Sequence, residues 1–375
     1  MAGGFFRKFT KTIFILSNVI VAVLFLLGCY ASWFDPQYFW FIGFLNMASF
    51  YLLLALVAFI FFWLFAKWKL IFISIITILL AWKPIGKIVK LVPPSDFKLA
   101  KNPNTIRIMS WNVEHFDILE HKTKPQVKTQ MLDLISMYQP DVACFQEMVG
   151  SDFDSTAINY VPYFAERLHF PYNYYSYNKL SDFDSKHHFG IITFSKYPII
   201  ERHTISYDKN TYNSIFQYVD ILKDNDTFRV FNFHLQSLRF SNENLKFIKD
   251  VTADGEIDLR GSKNLISKFK TGFILRKLQS ERIKKTMNES PHPIIACGDF
   301  NDVPNSYAYS TIGNGLKNAF AEKGSGIGRT FSSIAPTLRI DNIFMDERFN
   351  VQQYIRVKKK MSDHFPIITD LTFEK

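Results

Sequence analysis

Several strand-like segments of this sequence end in side chains that could bind a metal ion or a phosphate group. Each segment is apolar, and the polar residues follow at or just beyond its end. Carboxylates rarely gather at the ends of buried strands unless a proton, a cation or a turn compensates their charge. The residues concerned are Asn112, Glu147, His234, Asp299, Asn301, Asp341, Asp363 and His364.

Taken alone, any one of these acids is typical of a turn or a helix cap. Strand ends on one side of two packed sheets converge in space, however, so the whole set would bring uncompensated carboxylates together. A divalent cation would remove that repulsion. The donors are hard oxygen ligands, and the three cysteines have no paired spacing that would indicate zinc. The sequence therefore predicts Mg²⁺ or Mn²⁺ as the cofactor, with a phosphoester as the substrate.

The elements that would carry these residues begin at about residue 105. Runs such as "TIRIMSW" and "DVACFQE" are strand-like, whereas "QVKTQMLDLISMY" has apolar residues at helical spacing. Eight or more such strands with interspersed helices predict an α/β domain in which two sheets pack face to face and helices lie outside. A basic stretch within residues 237–291 interrupts this rhythm and predicts a long scaffold helix.

Six segments together resemble a known superfamily. "SWNVEHF", "FQEM", "FHLQS", "GDFND", "RIDNIF" and "SDHFP" occur in the order and at the approximate spacing of the endonuclease/exonuclease/phosphatase superfamily. The resemblance covers residues 105–375. It implies a four-layered α/β/β/α sandwich, with two mixed β-sheets packed face to face and the site at one end of the sheets. Here that sandwich would be preceded by N-terminal transmembrane helices.

The same resemblance implies which residues hold the metal. Glu147 would be the principal Mg²⁺ ligand, and Asn112 and Asp363 would lie in or around the coordination sphere. This agrees with the general preference of Mg²⁺ for one or two carboxylates together with substrate phosphate.

The remaining residues would act on the phosphate group. Asp299 would orient or deprotonate the attacking water, and Asn301 would bind a phosphate oxygen. His364, paired with Asp341, would stabilise the pentacovalent phosphorane or assist proton transfer. His234 would contact the phosphate and protonate the leaving oxygen. In-line attack on phosphorus needs each of these functions.

The substrate stays open because members of this superfamily cleave nucleic acids, phospholipids or soluble phosphates with nearly the same core. A phosphodiesterase or nuclease is the main prediction, and a sphingomyelinase-like phospholipid phosphodiesterase or a phosphatase is the alternative. A membrane-anchored scaffold without turnover is a further alternative, although it would have no reason to retain all eight residues. Arg202 is a loose candidate for a phosphate-binding arginine.

The N-terminal region is apolar enough to enter a lipid bilayer. Within a transmembrane region at 1–92 we expect three spans, followed by a linker and then the catalytic domain; the ranges are 13–34, 39–66 and 70–88 for the spans and 93–104 for the linker. The connection between the first two spans has no Lys or Arg, which places it outside the cell. Three spans make the catalytic domain extracytoplasmic, whereas two would make it cytoplasmic.

The net charge of +10 does not by itself indicate nucleic-acid binding. Residues 1–100 contain nine Lys or Arg and two acids, a balance of +7, so the remaining residues contribute only +3. The excess therefore lies mostly beside the apolar segments, as in juxtamembrane regions. The bilayer and a phosphoester, either nucleic acid or phospholipid, are the predicted partners, and no obligate protein partner is evident.

Overall fold

Two six-stranded sheets form the centre of the structure. The computed structural model describes residues 2–116, 126–152, 157–178, 186–207, 215–238 and 259–374, without the side chains of 2–7 and 259–262. The strands are β1 Ile106–Asn112, β2 Val142–Gly150, β3 Tyr172–Tyr177, β4 His188–Ser195, β5 Ile199–Ser206, β6 Ile215–Lys223, β7 Asp226–His234, β8 Ile294–Asp299, β9 Lys317–Asn318, β10 Asp341–Met345, β11 Phe349–Arg356 and β12 Ile367–Phe373.

The strand order is β11-β12-β1-β2-β4-β3 in the first sheet and β5-β6-β7-β8-β10-β9 in the second. Strands β1 and β2 are parallel, as are β7 and β8, and the other pairs are antiparallel, so both sheets are mixed. The helices are α1 Ala2–Cys29, α2 Pro36–Phe39, α3 Ile42–Ala66, α4 Ile71–Leu80, α5 Trp82–Ile88, α6 Gln126–Tyr138, α7 Tyr160–Arg167, α8 Leu259–Asn288, α9 Tyr307–Gly313 and α10 Ala319–Lys323.

Alternation along the strands separates three apolar cores. Ile108 and Ile295 belong to the core between the two sheets. Met109 and Trp111 belong to the core under α6 and α7, and Ala296 lies in the core under α8 and α9. Because successive side chains of a strand point to opposite faces, one strand can supply two cores. This arrangement confirms the predicted four-layered sandwich.

The basic stretch, residues 264–287, forms most of α8, as expected of a scaffold helix. Ile283 and Met287 are buried against the outer face of the second sheet. Lys284 and Lys285 occupy the same part of the helix but stay at least partly exposed. The helix thus buries one stripe and solvates the other.

Two helices are long and apolar enough to cross a membrane, Lys8–Cys29 within α1 and Ile42–Ala66, which is α3. A bent pair, Trp68–Leu80 and Trp82–Ile88 with an angle of 69° between them, would provide a third crossing if it acts as one span. These helices share a small core of their own that includes Phe25, Leu56 and Ala81. Length and composition thus suggest membrane association.

The apolar helices dock directly on the sandwich. The Asn46 amide of α3 donates to the Pro304 carbonyl at 2.9 Å, and the Asn305 amide donates to the Pro84 carbonyl at 3.0 Å. Lys90 and Gly326 form a short β-bridge with N···O distances of 2.9 Å in both directions. The loop after β8 is thereby hydrogen-bonded to α3 and α5, and the segment after α5 is hydrogen-bonded to the sandwich.

A buried ion pair joins β1 to β12, the two strands that lead to the site from the first sheet. Arg107 is fully buried, and its guanidinium donates to both carboxylate oxygens of Asp370 at 2.7 and 2.8 Å. The same guanidinium donates to the Tyr138 carbonyl at 2.8 Å. Removing only the carboxylate would leave a buried charge without its counter-ion.

We expect Asp370→Ala to lower the free energy of unfolding by about 3–5 kcal/mol for that reason. Chemical unfolding of the full chain in detergent, followed by the circular dichroism of the sandwich, measures the change. Asp346→Ala is the matched control, because the Asp346–Arg348 pair is exposed to solvent and should contribute less than about 1 kcal/mol. Equal losses in the two variants would contradict the structural importance of the buried pair.

Candidate active site

Three adjacent strands of the second sheet carry His234, Asp299 and Asp341 side by side. His234 ends β7, Asp299 ends β8 and Asp341 begins β10. Strand pairing aligns Asp299 with His234 on one side and with Asp341 on the other. Neighbouring strands are about 4.8 Å apart, so these side chains are held close together. His234 Nε2 lies 3.4 Å from Asp299 Oδ2.

The first sheet contributes Asn112 and Glu147. Asn112 ends β1, whereas Glu147 lies within β2 at a β-bulge, where the register shifts between Gln146 and Met148. Glu147 has a φ of +60°, an uncommon conformation for a residue with a side chain. A bulge re-aims a side chain, and here the Glu147 carboxylate reaches the pocket instead of a core.

The Asn112 amide connects the two sheets at this point. Its Nδ2 donates to Glu147 Oε1 at 3.1 Å and to Asp299 Oδ2 at 3.2 Å. Its Oδ1 accepts a hydrogen bond from the Glu114 backbone N–H at 3.1 Å. A neutral side chain therefore lies between two carboxylates and donates to both.

His364 and Asp341 form a buried pair. His364 Nδ1 lies 2.8 Å from Asp341 Oδ2, and Nε2 lies 3.6 Å from Asp299 Oδ2. Thr330 and Ser362 hold the backbone around this pair, since their hydroxyl oxygens accept from the Asp341 and His364 N–H groups at 3.0 Å. With Nδ1–H donated to Asp341, the other ring nitrogen faces the pocket.

Asn301 and Asp363 complete the set predicted from the sequence. Asn301 has a φ of +49°, donates its backbone N–H to Asp299 Oδ1 at 2.8 Å, and donates its amide to the Leu235 carbonyl at 3.0 Å. The Asp363 backbone N–H donates to Glu114 Oε2 at 2.8 Å. All eight predicted residues thus lie together, and their roles stay predictions.

Burial acts to raise the pKa values of the two central carboxylates, Asp299 and Glu147. It raises the pKa of Asp299 to about 7; His364 opposes this effect and Asp341 adds to it. Burial would also raise the pKa of Glu147, but the charges of His115 and His234, with the Asn112 hydrogen bond, hold it below the usual value. The pKa values of the two acids are thereby shifted in opposite directions.

The pKa values of the two histidines are also shifted in opposite directions. Burial lowers the pKa of His234 to about 4. Burial acts in the same direction on His364, but the charges of Asp341 and Asp299 outweigh it, so that its pKa lies well above the usual value. Near neutral pH the metal-free protein therefore holds a neutral His234 and an imidazolium at His364.

The pocket in front of these side chains has a volume of about 280 Å³. Seven of the eight predicted residues line it, and Asp341 lies behind His364. Its walls also include apolar residues from five parts of the chain, namely Met47, Leu238, Phe269, Val303, Phe331, Ile334, Leu338 and Ile340. The site is therefore polar at one end and apolar elsewhere.

Two further residues beside the pocket were not predicted from the sequence. His115 Nε2 lies 3.3 Å from Glu147 Oε2, and Arg276 lines the pocket from α8. His115 is close in sequence to Asn112, which is a usable signal, but nothing in the pattern of a basic helix distinguishes Arg276. Arg202 lies on β5, where it pairs with Val219 of β6. It is exposed and does not line the pocket.

The sequence matches two family models. A model described as "Endonuclease/Exonuclease/phosphatase family" matches residues 109–364, more than half of the chain. The chain belongs to the endonuclease/exonuclease/phosphatase family. Members of this family are phosphoester hydrolases that generally depend on a divalent metal. A second model, for a domain of unknown function, matches residues 11–88. No curated protein matches the chain significantly.

Solved structures of the family share this fold. An endonuclease/exonuclease/phosphatase from Beutenbergia cavernae aligns with a TM-score of 0.52 and 16% identity over 72% of each chain. A family protein from Bacteroides thetaiotaomicron aligns with a TM-score of 0.52 and 16% identity, over 73% of this chain and 100% of that one. The human Nocturnin catalytic domain, with bound sulfate, aligns with a TM-score of 0.51 and 16% identity, over 73% of this chain and 96% of that one. At such identities the likeness establishes the fold alone.

The donors in the pocket fit the divalent metal on which the family generally depends. Asp299, Asp341 and His364 offer ligand atoms within 4.8 Å of one another. Asp341 Oδ1 is buried and has no hydrogen-bond partner among the described residues. The side chains of Glu147 and Asp363 are 19% and 35% exposed, which leaves their oxygens accessible from the pocket. Oxygen donors of this kind suit a hard cation.

A divalent cation such as Mg²⁺ should stabilise the protein more at about pH 8 than at about pH 5. Burial raises the pKa of Asp299 from 3.8 to about 7 in the folded protein. In the metal-free protein, the protonated carboxyl therefore stabilises the fold fully below about pH 3.8, and this stability is lost as the pH rises through about 7. Each pKa unit corresponds to about 1.4 kcal/mol. Melting temperatures with Mg²⁺ and with EDTA at both pH values test this.

In Asp299→Asn the group no longer titrates, so the gain from Mg²⁺ should depend less on pH. An identical gain at both pH values in the unmodified protein would show that Asp299 and the cation do not interact.

Proposed function

We propose that this protein is a Mg²⁺-dependent phosphoester hydrolase that acts by in-line attack of water, with its catalytic domain outside the cytoplasm. The observation that carries the proposal is the convergence of Glu147, Asp299 and Asp363 with the His364–Asp341 pair in one pocket. Membership of a family of phosphoester hydrolases supports it. A binding protein without turnover would gain nothing from four crowded carboxylates.

Glu147, Asp363 and Asn112 would hold the cation. Glu147 and Asp363 are the more exposed acids. Burial raises the pKa of Asp363 and the charge of Glu147 adds to this rise, so the two carboxylates are near neighbours. Asp341 is less suited because its Oδ2 is held by His364 Nδ1 at 2.8 Å and its side chain does not line the pocket. When bound there, Mg²⁺ supplies positive charge to the phosphoryl group.

Asp299 would take a proton from the attacking water. Its Oδ1 is held by the Asn301 N–H, and its Oδ2 faces Asn112 and both histidines. A base with a pKa near the working pH is the most effective, and burial moves Asp299 toward that range. A cation beside it would favour the deprotonated form that accepts the proton.

The two histidines would differ in role because they differ in charge. His364 is the imidazolium, fixed by Asp341, and suits the donation of a proton or a hydrogen bond to a phosphate oxygen. Neutral His234 suits a hydrogen bond to the phosphate, and it would protonate the leaving oxygen only after gaining a proton. Asn301 would donate to a non-bridging oxygen once its amide turns from the Leu235 carbonyl.

Asp299→Asn should lower kcat by about 10²–10⁴-fold, because the amide cannot accept the proton of water. Hydrolysis of a chromogenic phosphodiester, plasmid DNA and phospholipids by the full chain, with Mg²⁺ and with EDTA, measures this. Asp346→Asn makes the same chemical change at a partly exposed position outside the pocket and should leave kcat unaltered. Turnover that survives EDTA or Asp299→Asn would overturn the proposed mechanism.

The docking contacts support three crossings of the membrane. Asp35, between α1 and α3, lies 3.1 Å from Lys277 Nζ, so this connection lies on the side of the catalytic domain. Lys90, after α5, bridges to Gly326 on the same side. The N-terminus and the turn with Lys67 and Lys69 would then share the opposite, cytoplasmic side, as the positive-inside rule expects. We propose this topology with a transmembrane region at 1–92, a linker at 93–104 and a catalytic domain at 105–375.

A reporter that is active only outside the cytoplasm should therefore be active when fused after Glu374. The same reporter fused after Lys69, in the turn that follows the second span, should be inactive. Equal activity of the two fusions would show that the chain does not cross between Lys69 and the catalytic domain, and a reversed pattern would place the catalytic domain in the cytoplasm. Either result would overturn the proposed topology.

A further inference from the structure

One wall of the catalytic pocket comes from a helix that is apolar enough to cross the membrane. Met47 of α3 lines the same pocket as Asp299 and His364. On the preceding turn of α3, the Phe44 ring packs edge-on against Phe269 of α8, with 5.1 Å between ring centroids, and Phe269 lines the pocket too. The apolar helix is thus part of the site.

This wall is fixed in place by buried hydrogen bonds. Asn46, the residue before Met47, donates to the carbonyls of Gly28 and Pro304 at 3.0 and 2.9 Å. Pro304 lies five residues beyond Asp299, in the loop that leaves the catalytic strand. A polar side chain in an apolar helix is costly unless it is paired, and here its partners join α1, α3 and the catalytic loop.

The position of Met47 along α3 places the pocket near the level of lipid headgroups. Met47 lies five residues into the helix, or about 7.5 Å at 1.5 Å per residue. The connection before α3 exposes aromatic side chains, among them Trp33, Tyr38 and Phe41. Aromatic residues of this kind gather at membrane–water interfaces. With α3 crossing the bilayer as proposed above, the pocket would open beside the boundary between headgroups and acyl chains.

A second part of the wall is apolar as well. Phe331, Ile334, Leu338 and Ile340 belong to the loop that precedes β10. Ile334 is 46% exposed at the rim and has a φ of +62°, which is unusual for a β-branched residue. An exposed isoleucine in this conformation is costly in water but suits contact with an apolar ligand.

The charges around the pocket do not suit a nucleic acid. Among the described residues that line it, Arg276 is the single Lys or Arg, and it is already paired with Asp302 at 3.2 Å. Proteins that follow a nucleic-acid strand use several basic side chains along its backbone. A ligand with one phosphoester and a long apolar part matches the lining better.

We propose that the substrate is a membrane lipid with a phosphoester headgroup, which reaches the catalytic residues from the bilayer along α3. Its apolar chain lies between Met47 and Phe269 on one side and Ile334 and Leu338 on the other. The inference rests on the proposed hydrolase function. One water is consumed: its oxygen bonds to phosphorus, one phosphorus–oxygen bond breaks, and the departing oxygen leaves protonated.

The full chain in phosphatidylcholine nanodiscs that contain sphingomyelin, phosphatidylglycerol or phosphatidic acid, with Mg²⁺, tests the proposal. Lipid products are measured by mass spectrometry, and bis(p-nitrophenyl) phosphate serves as the soluble reference. Met47→Gln should lower the ratio of lipid to soluble-substrate turnover about tenfold, which corresponds to about 1.4 kcal/mol. Ile334→Gln, at an exposed position where folding is not at risk, should lower the same ratio.

Leu54→Gln is the matched control, since Leu54 is an exposed residue of α3 that does not line the pocket. Its ratio should stay within about twofold of the unmodified protein. Turnover of the soluble phosphodiester or of plasmid DNA without turnover of any lipid would overturn the inference and leave the proposed function standing. Equal ratios for the Met47, Ile334 and Leu54 variants would also overturn it. Hydrolysis of none of these compounds would overturn the proposed function itself.

Discussion

The crowding of negative charge at one end of two sheets is the constraint on which this site depends. Glu147, Asp299, Asp341 and Asp363 lie close together, and their negative charge is compensated in different ways. Asn112 donates to two of them, His364 pairs with Asp341, and burial moves the pKa of Asp299 to about 7. The remaining repulsion favours a divalent cation. The same imbalance that would destabilise an ordinary core thus prepares this one for phosphate chemistry.

The sandwich supplies the rigidity that such a site needs. Pairing across β7, β8 and β10 aligns His234, Asp299 and Asp341, and a bulge in β2 turns Glu147 toward them. Between the sheets, Gln146 donates to Asn232 at 2.7 Å directly beneath the site. These side chains belong to regular elements with buried partners, so little freedom is lost when substrate binds.

The apolar helices extend this architecture. Asn46 and Asn305 exchange hydrogen bonds between the helices and the loop that follows Asp299, so the catalytic loop rests on α3 and α5. A helix pair held only by a linker would leave the site free to face any direction. Here the docking contacts fix the orientation of the site relative to the apolar helices. If these helices cross a bilayer, the same contacts also fix how the site faces the lipid.

Strand periodicity and the residues at strand ends are local signals, so the fold class, the family and the eight polar residues that the structure brings together could be predicted from the sequence. It did not reveal Arg276, which lies in the middle of a basic helix, or Met47, which looks like any residue of an apolar span. It also could not show that Asn112 bridges two carboxylates or that the histidines differ in charge, since both depend on distances between the sheets. Only the tertiary structure decided which side chains share the pocket, because that depends on packing between segments far apart in the chain.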